Sequence, residues 1–249
     1  IGATYTAEWL NAHKGSDGQI SLREAITAAN NTTGPTLIQF AIPSAGVHTI
    51  VLASPLPLIR APVIIDASTD DSFAANGHRP AVILDGNDLP ADGLILDTGS
   101  SGSEIRGLVI RNFGMAGIAI RPAASDIVIA GNYIGRLNAD GSAAAAGLAN
   151  ASMGIYVEGA RARIGGTDPA DRNVISGNVG HQVLLEATAT SSRILGNFIG
   201  TDATGTIDVD GAVDLSYGHS GIFIRGADGL QIGGLDAAEG NLVSGNGYY

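Results

Sequence analysis

For most of the chain the apolar residues fall in short runs: Leu37-Ile38-Gln39-Phe40, Val63-Ile64-Ile65, Val82-Ile83-Leu84 and Leu94-Ile95-Leu96, separated by Gly, Pro, Asn, Asp and Ser. Runs of that length between turn residues predict β-strands joined by tight turns. One stretch has a different period. Leu22, Ala25, Ile26 and Ala29 recur at spacings of three and four, which places them on one stripe of a helix. Just ahead of them Ser21-Leu22-Arg23-Glu24 forms a capping box, in which Ser21 and Glu24 each satisfy a backbone N–H of the other. Asn30 and Asn31 close the stretch. A helix over 22–30 follows, with an apolar face that must cover something.

From about residue 100 onward the pattern repeats itself. Gly131-Asn132-Tyr133-Ile134-Gly135 returns as Gly196-Asn197-Phe198-Ile199-Gly200, an offset of 65. Gly154-Ile155-Tyr156-Val157-Glu158-Gly159 returns as Gly221-Ile222-Phe223-Ile224-Arg225-Gly226, an offset of 67. Asn173-Val174-Ile175-Ser176-Gly177-Asn178 returns as Asn241-Leu242-Val243-Ser244-Gly245-Asn246, an offset of 68. Inside this long repeat lies a shorter one, because Ile105 aligns with Ile129, and Asn173 with Asn197, at 24. The longer steps, 41 from Asn132 to Asn173 and 44 from Asn197 to Asn241, then hold one unit plus a loop, supplied by 138–150 and 201–215.

A unit of this size, with Ile155 and Val157 inward and Tyr156 and Glu158 outward, cannot bury a core alone and must stack on copies of itself. Neither the Leu-x-x-Leu-x-Leu pattern of leucine-rich repeats nor the Trp-Asp signature of propeller blades is present. The predicted fold is therefore all-β, a right-handed parallel β-helix, with a cap over 1–36 that includes the helix 22–30 and with coils over 37–249. Like residues then stand one above another, and Asn132, Asn173, Asn197 and Asn241 are expected to form a column of hydrogen-bonded amides at a sharp corner. The sequence stops in mid-coil at Ser244–Tyr249, so the coils are expected to be truncated at that end, leaving an edge that can join another chain.

Composition narrows the functions. The 249 residues contain no Cys, which removes thiol catalysis, disulfides and Cys-ligated metals. The net charge is −11 and Lys14 is the only lysine, so the basic footprint of a nucleic-acid partner is missing. No apolar run approaches the roughly 18 residues of a membrane span, and Ile1–Leu10 lacks the basic start and apolar stretch of a signal peptide. Neither nucleic acid nor membrane insertion is expected.

Several residue groups could carry chemistry. Asp66, Asp85 and Asp97 end three early strands, and the first two, about one coil apart, are expected on one face as paired carboxylates for acid–base work, against the alternative of strand-ending turns. Asp208-Val209-Asp210-Gly211 with Asp214 puts three hard oxygen donors in a Gly-containing turn, a partial calcium loop without the distal Glu of an EF-hand, and Asn138-Ala139-Asp140-Gly141 echoes it. Arg106, Arg111, Arg121, Arg161, Arg163 and Arg225 recur around the coil corners, where pairing with surface carboxylates is the default. Tyr133 and Phe198 are equivalent across the long repeat, as are Tyr156 and Phe223. Facing out they are platforms for sugar rings or a neighbouring protein, and facing in they are core.

The segment Gly15–Asn31, with Ser21-Leu22-Arg23-Glu24-Ala25 at its centre and Ile38-Gln39-Phe40-Ala41-Ile42-Pro43 after it, resembles the entry motif of bacterial extracellular right-handed β-helix proteins, within the pectin-lyase-like superfamily. Asn197–Thr206 and Asn173–Asn178 are similar to the coils of those proteins. The resemblance implies that the helix plugs one end of a solenoid and that the protein is extracellular or on a bacterial cell surface. It further implies a non-catalytic module for adhesion, carbohydrate contact or assembly, with carbohydrate or a cell-surface protein as partner. Two alternatives go with it: a lyase, epimerase or glycosidase acting on uronic-acid glycans, and a subunit that stacks end to end. His219, in Tyr217-Gly218-His219-Ser220, is similar to the Gly-His-Gly of polygalacturonases, but the Asn-Thr-Asp, Asp-Asp and Arg-Ile-Lys motifs of that group are missing. With Asp66 and Asp85 it completes the catalytic candidates.

Overall fold

A computed structural model describes residues 5–15, 17–209 and 220–247. The described chain is mostly β, with three sheets of seven, seven and five strands whose neighbours all run parallel. From Glu104 the chain visits the sheets in strict rotation. Strand Glu104–Arg106 belongs to sheet A, Leu108–Phe113 to sheet B and Ile118–Ile120 to sheet C; the next three, Val128–Ala130, Tyr133–Gly135 and Ile155–Val157, repeat that order. From Glu104–Arg106 to Phe198–Ile199 each strand hydrogen-bonds to its equivalent one circuit earlier and one later.

In-register pairing places like on like. In sheet A, Ile38, Ile65, Ile105, Ile129, Ile164, Ile194 and Ile232 pair in succession. In sheet B, Ile50, Leu84, Ile110, Ile134, Ile175, Ile199 and Val243 do the same. Nearly all of these side chains share one buried cluster with Leu94, Ile118, Ile155 and Val183 of sheet C. Each fully buried aliphatic side chain removes enough apolar surface to stabilise the fold by about 1.5–3 kcal/mol. The columns end abruptly at the last described layer, where Ile232 and Val243, equivalent to fully buried residues one layer earlier, are 44% and 47% exposed.

The helix Leu22–Asn30 begins at the predicted capping box, where Glu24 accepts the Ser21 N–H and Ser21 Oγ accepts the Glu24 N–H. Leu22, Ile26 and Ala29 pack into the main cluster beside Ile38 and Phe40, so the helix covers the first layers of the core. A second short helix, Ala7–Ala12, was not legible in the sequence because six residues are too few to show a period. Thr6 caps it, and Leu10 is its buried contact.

The corner between sheets A and B holds the asparagine column. Asn132 donates both its backbone N–H (3.0 Å) and its Nδ2 (3.2 Å) to Asn173 Oδ1. Asn173 does the same to Asn197 Oδ1 at 3.2 and 2.9 Å, and Asn197 to Asn241 Oδ1 at 3.0 and 3.0 Å. Each Nδ2 also reaches back to a carbonyl of an earlier strand: Ile105 for Asn132, Ile129 for Asn173, Ile164 for Asn197 and Ile194 for Asn241. The separations of 41, 24 and 44 residues along the column match the repeat read from the sequence. Asn132, Asn173 and Asn197 are fully buried, so these bonds replace water for groups that have none nearby. A second column, with Asn150 Nδ2 donating to Asn178 Oδ1 at 2.9 Å, stands between sheets B and C. Glycine is required where layers touch: Gly135 has φ +119°, and a Cβ there would run into the carbonyl of Ser176 in the next layer.

Replacing Asn173 with Ala removes the side-chain acceptor of the Asn132 backbone N–H and the donor to the Ile129 carbonyl, and takes one of two hydrogen bonds from Asn197 Oδ1, in a dry corner. At about 1–3 kcal/mol per unmet buried group, Asn173→Ala should lose about 3–5 kcal/mol in urea unfolding, whereas Asn241→Ala, half-buried at the edge of the column, should lose about 1 kcal/mol. Equal small losses at both positions would contradict the column as a source of stability.

Candidate functional site

The long loops fold over the outer face of sheet B. The segments 136–150 and 201–209 place Leu137, Ala139 and Val209 against Ile83, Val109, Tyr133 and Val174, making a second buried cluster outside sheet B. Tyr133 is therefore a residue of this outer core, and burial raises its phenol above the ordinary value. Phe198 is half-buried beside the same cluster with the Arg172 guanidinium 4.3 Å above its ring. Both residues point away from the main core, as the platform reading requires, but the loops roof them over.

Sheet C carries a row of polar groups on its outer side. Tyr156, Leu184 and Phe223 are register partners on successive strands, and Glu186 pairs with Arg225 two positions further on. Alternation along a strand puts Glu158 and Glu186, two positions after Tyr156 and Leu184, on that same outer face. Arg121 Nη1 reaches Glu158 at 3.3 Å and its Nη2 reaches Asp92 at 3.0 Å. Arg225 Nη1 holds Glu186 at 3.0 Å, and Tyr156 donates its hydroxyl to the same Glu186 oxygen at 3.2 Å. Burial, with the nearby Glu158 and Glu186 carboxylates, pushes the Tyr156 phenol up to about 12, so it is a hydrogen-bond donor throughout the physiological range. Phe223 is 37% exposed, and its ring lies parallel to that of His181 with centroids 4.4 Å apart. The Arg225 guanidinium stands 5.9 Å from the same ring.

The early aspartates do not converge. Asp66 is in sheet A, paired in register with Arg106, and its carboxylate caps the turn 67–69 through the N–H and Oγ of Ser68. Asp85 is in sheet B, where it accepts from the Asn87 N–H and Asn112 Nδ2 with Arg111 3.6 Å away. The expectation that the two share a face is thus corrected. Their 19-residue separation spans two successive walls of one circuit, because the short helix Asp71–Ala75 and its flanking turns lengthen the circuit there. Asp97 ends a strand of sheet C and pairs with Arg60 at 3.1 Å; the Thr98 backbone N–H, followed by Arg60 and Arg121, holds its carboxyl below the usual range.

Of the calcium loop, only Asp208 is described, exposed and bridged to Thr201; Asp210 and Asp214 lie outside the described residues, as does His219. Among the described residues no group of three or more His, Asp or Glu side chains is placed to hold a metal ion. All six corner arginines pair with carboxylates. The sequence reading had not joined Glu158 and Glu186 to Tyr156. Their alignment could have been found by carrying the register of Ile155 and Val183 forward along both strands. No protein-family model and no curated protein matches the chain. No helix among the described residues is long and apolar enough to cross a membrane.

Of the six tyrosines, the one abolished by Tyr156→Phe should titrate near 12 in an ultraviolet difference titration. Because its folded value lies above the unfolded value of about 10, the stability it contributes is complete below pH about 10 and lost as pH rises toward 12. Glu186→Gln should bring the phenol part of the way back toward its ordinary value; a phenol that already titrates at the ordinary value in the unaltered chain would contradict the packing described here.

Proposed function

We propose that the three parallel sheets are the walls of a right-handed parallel β-helix whose first layers are closed by the helix Leu22–Asn30. The rotation of the chain through sheets A, B and C supports this, together with the strong preference of parallel crossovers for the right hand. The Ser-Leu-Arg-Glu-Ala segment supports membership of the extracellular bacterial class it resembles. Within that fold the protein is a non-catalytic extracellular or cell-surface module that contacts carbohydrate with the outer face of sheet C.

The observation that carries this reading is the Phe223 ring, placed on the outer face of sheet C and held flat against His181 beside the Glu186–Arg225 pair. A pyranose presents an apolar C–H face to such a ring and hydroxyls to the charged groups at its edge. The side chain is also rigidly placed, since its strand, Ile222–Arg225, is registered on Val183–Glu186 over its whole length. An enzyme acting on uronic-acid glycans needs a carboxylate or base free to take a proton. Among the described residues Glu158 and Glu186 instead accept from guanidinium groups, and Asp66 and Asp85 stand on different sheets.

A panel of soluble oligosaccharides titrated calorimetrically into the full chain should show binding. Phe223→Ala, with an unchanged circular dichroism spectrum, should weaken it about 5–10-fold, the loss of one aromatic stacking contact. Equal binding by the variant, no binding by the unaltered chain, or release of unsaturated sugar from pectate or alginate would each overturn the reading.

A further inference from the structure

We infer that the cleft between the two N-terminal helices and the first strand of sheet A receives an extended, uncharged peptide segment, which joins the sheet as a further strand. The strand Thr36–Gln39 is the edge of sheet A, bonded to Val63–Asp66 on one side only. The N–H groups of Thr36, Phe40 and Ile42 all turn toward the next layer. There they donate to the Pro62 carbonyl at 3.0 Å, Thr69 Oγ1 at 2.9 Å and the Asp70 carboxylate at 2.8 Å. Peptide units alternate in direction along a strand, so those of Leu37, Gln39 and Ala41 point the opposite way. Among the described residues no turn, helix or side chain takes these groups up. On their side lies a cleft of about 400 Å³, whose opposite wall includes Leu10 of the first helix and Leu22, Ala25 and Ala28 of the second. Residues 36–43 all line it, with inward-facing and outward-facing side chains alike, so the cleft runs along the strand edge itself.

The chemistry of the cleft selects this occupant. N–H and C=O groups offered at every second residue are matched by the backbone of another strand, which carries the complementary groups at the same interval. Pro35 and Pro43 belong to the same alternate series and have no N–H, so the free edge is confined to Leu37, Gln39 and Ala41. The inner side of the cleft is aliphatic. Ile38 is the first member of the isoleucine column, and the helix above it presents the small side chains of Ala25 and Ala28 to the open space. A β-branched residue of the incoming strand, set over Ile38, prolongs that column by one layer. Charge decides the rest. No Asp, Glu, Lys, Arg or His lines the cleft, and its polar side chains, among them Asn11, Gln19, Ser21 and Gln39, are neutral. A charged side chain brought in here would lose water and find no counter-ion, whereas a neutral one meets no such penalty.

The test is calorimetry and amide hydrogen exchange on the full 249-residue chain with the neutral peptide acetyl-Thr-Val-Thr-Val-Thr-amide. A Thr-Glu counterpart of the same length and two N-methylated forms, one at the Val and one at the Thr positions, serve as comparisons. Saturation with the neutral peptide should slow exchange at Leu37, Gln39 and Ala41 at least ~10-fold and leave the Asn173 amide unchanged. Only one edge of an added strand bonds to the sheet, so one N-methylated form should bind about 10-fold more weakly and the other as well as the parent. The charged peptide should bind at least ~10-fold more weakly than the neutral one. Ala25→Phe, which fills the cleft from the helix side, should weaken the neutral peptide by about 10-fold; if that variant does not fold, the peptide series on the unaltered chain decides. Absence of protection at Leu37 and Gln39, equal affinity of the two N-methylated forms, or equal affinity of the charged and neutral peptides would overturn the inference. So would protection of these amides that rises with protein concentration without peptide, the mark of a second copy in the cleft.

Discussion

A shared acceptor holds this molecule in register: the side-chain oxygens of Asn173, Asn197 and Asn241 each take two hydrogen bonds from the asparagine one layer before. The arrangement works only if successive layers superimpose to within hydrogen-bond distance. A slip of one residue would break both bonds and turn the flanking isoleucines from the core to the outside. Buried amides without partners are costly, so the column acts against misregistration more strongly than it adds to net stability. The isoleucine columns then supply the bulk of the stabilisation, and the glycines that lack a Cβ allow neighbouring layers to touch.

Because the inside of every layer is fixed in this way, variation is confined to the outside. Long insertions leave the stack at one corner and fold back over sheet B, where they bury Tyr133 under Leu137, Ala139 and Val209. On sheet C the outer positions Ala119, Tyr156, Leu184 and Phe223 stand in register, with Glu158, Glu186 and Arg225 beside them. Rigidity is passed from core to surface: Glu158 and Glu186 sit on adjacent strands because Ile155 sits on Val183. A face built this way is preorganised, which reduces the ordering cost of any ligand it receives.

Much of the fold was legible from residue spacing. The recurrence of Asn132, Asn173, Asn197 and Asn241 gave both the layer period and the column, and the Ser21–Glu24 box marked the helix start to the residue. Spacing failed where a circuit changes length. Asp66 and Asp85 seemed equivalent because their separation is near the shortest circuit, whereas the neighbour of Asp66 one layer on is Arg106. Spacing leaves Tyr133 and Phe198 either exposed or core, and they form a third environment that the folded-back loops create. The second amide column was missed because Asn150 follows an insertion that hides its equivalence to Asn178. The polar row on sheet C drew on residues, Glu158 and Glu186, that carry no motif at all and become neighbours through register alone.

Amide hydrogen exchange at the asparagine column tests the layered arrangement most directly. The backbone N–H groups of Asn132, Asn173 and Asn197 each donate to a side-chain oxygen in the next layer. They should exchange only through global unfolding, as slowly as the amides of the central strands. Exchange at these three positions as fast as in the surface loop around Ala145–Gly147 would contradict the stacking on which the whole account stands.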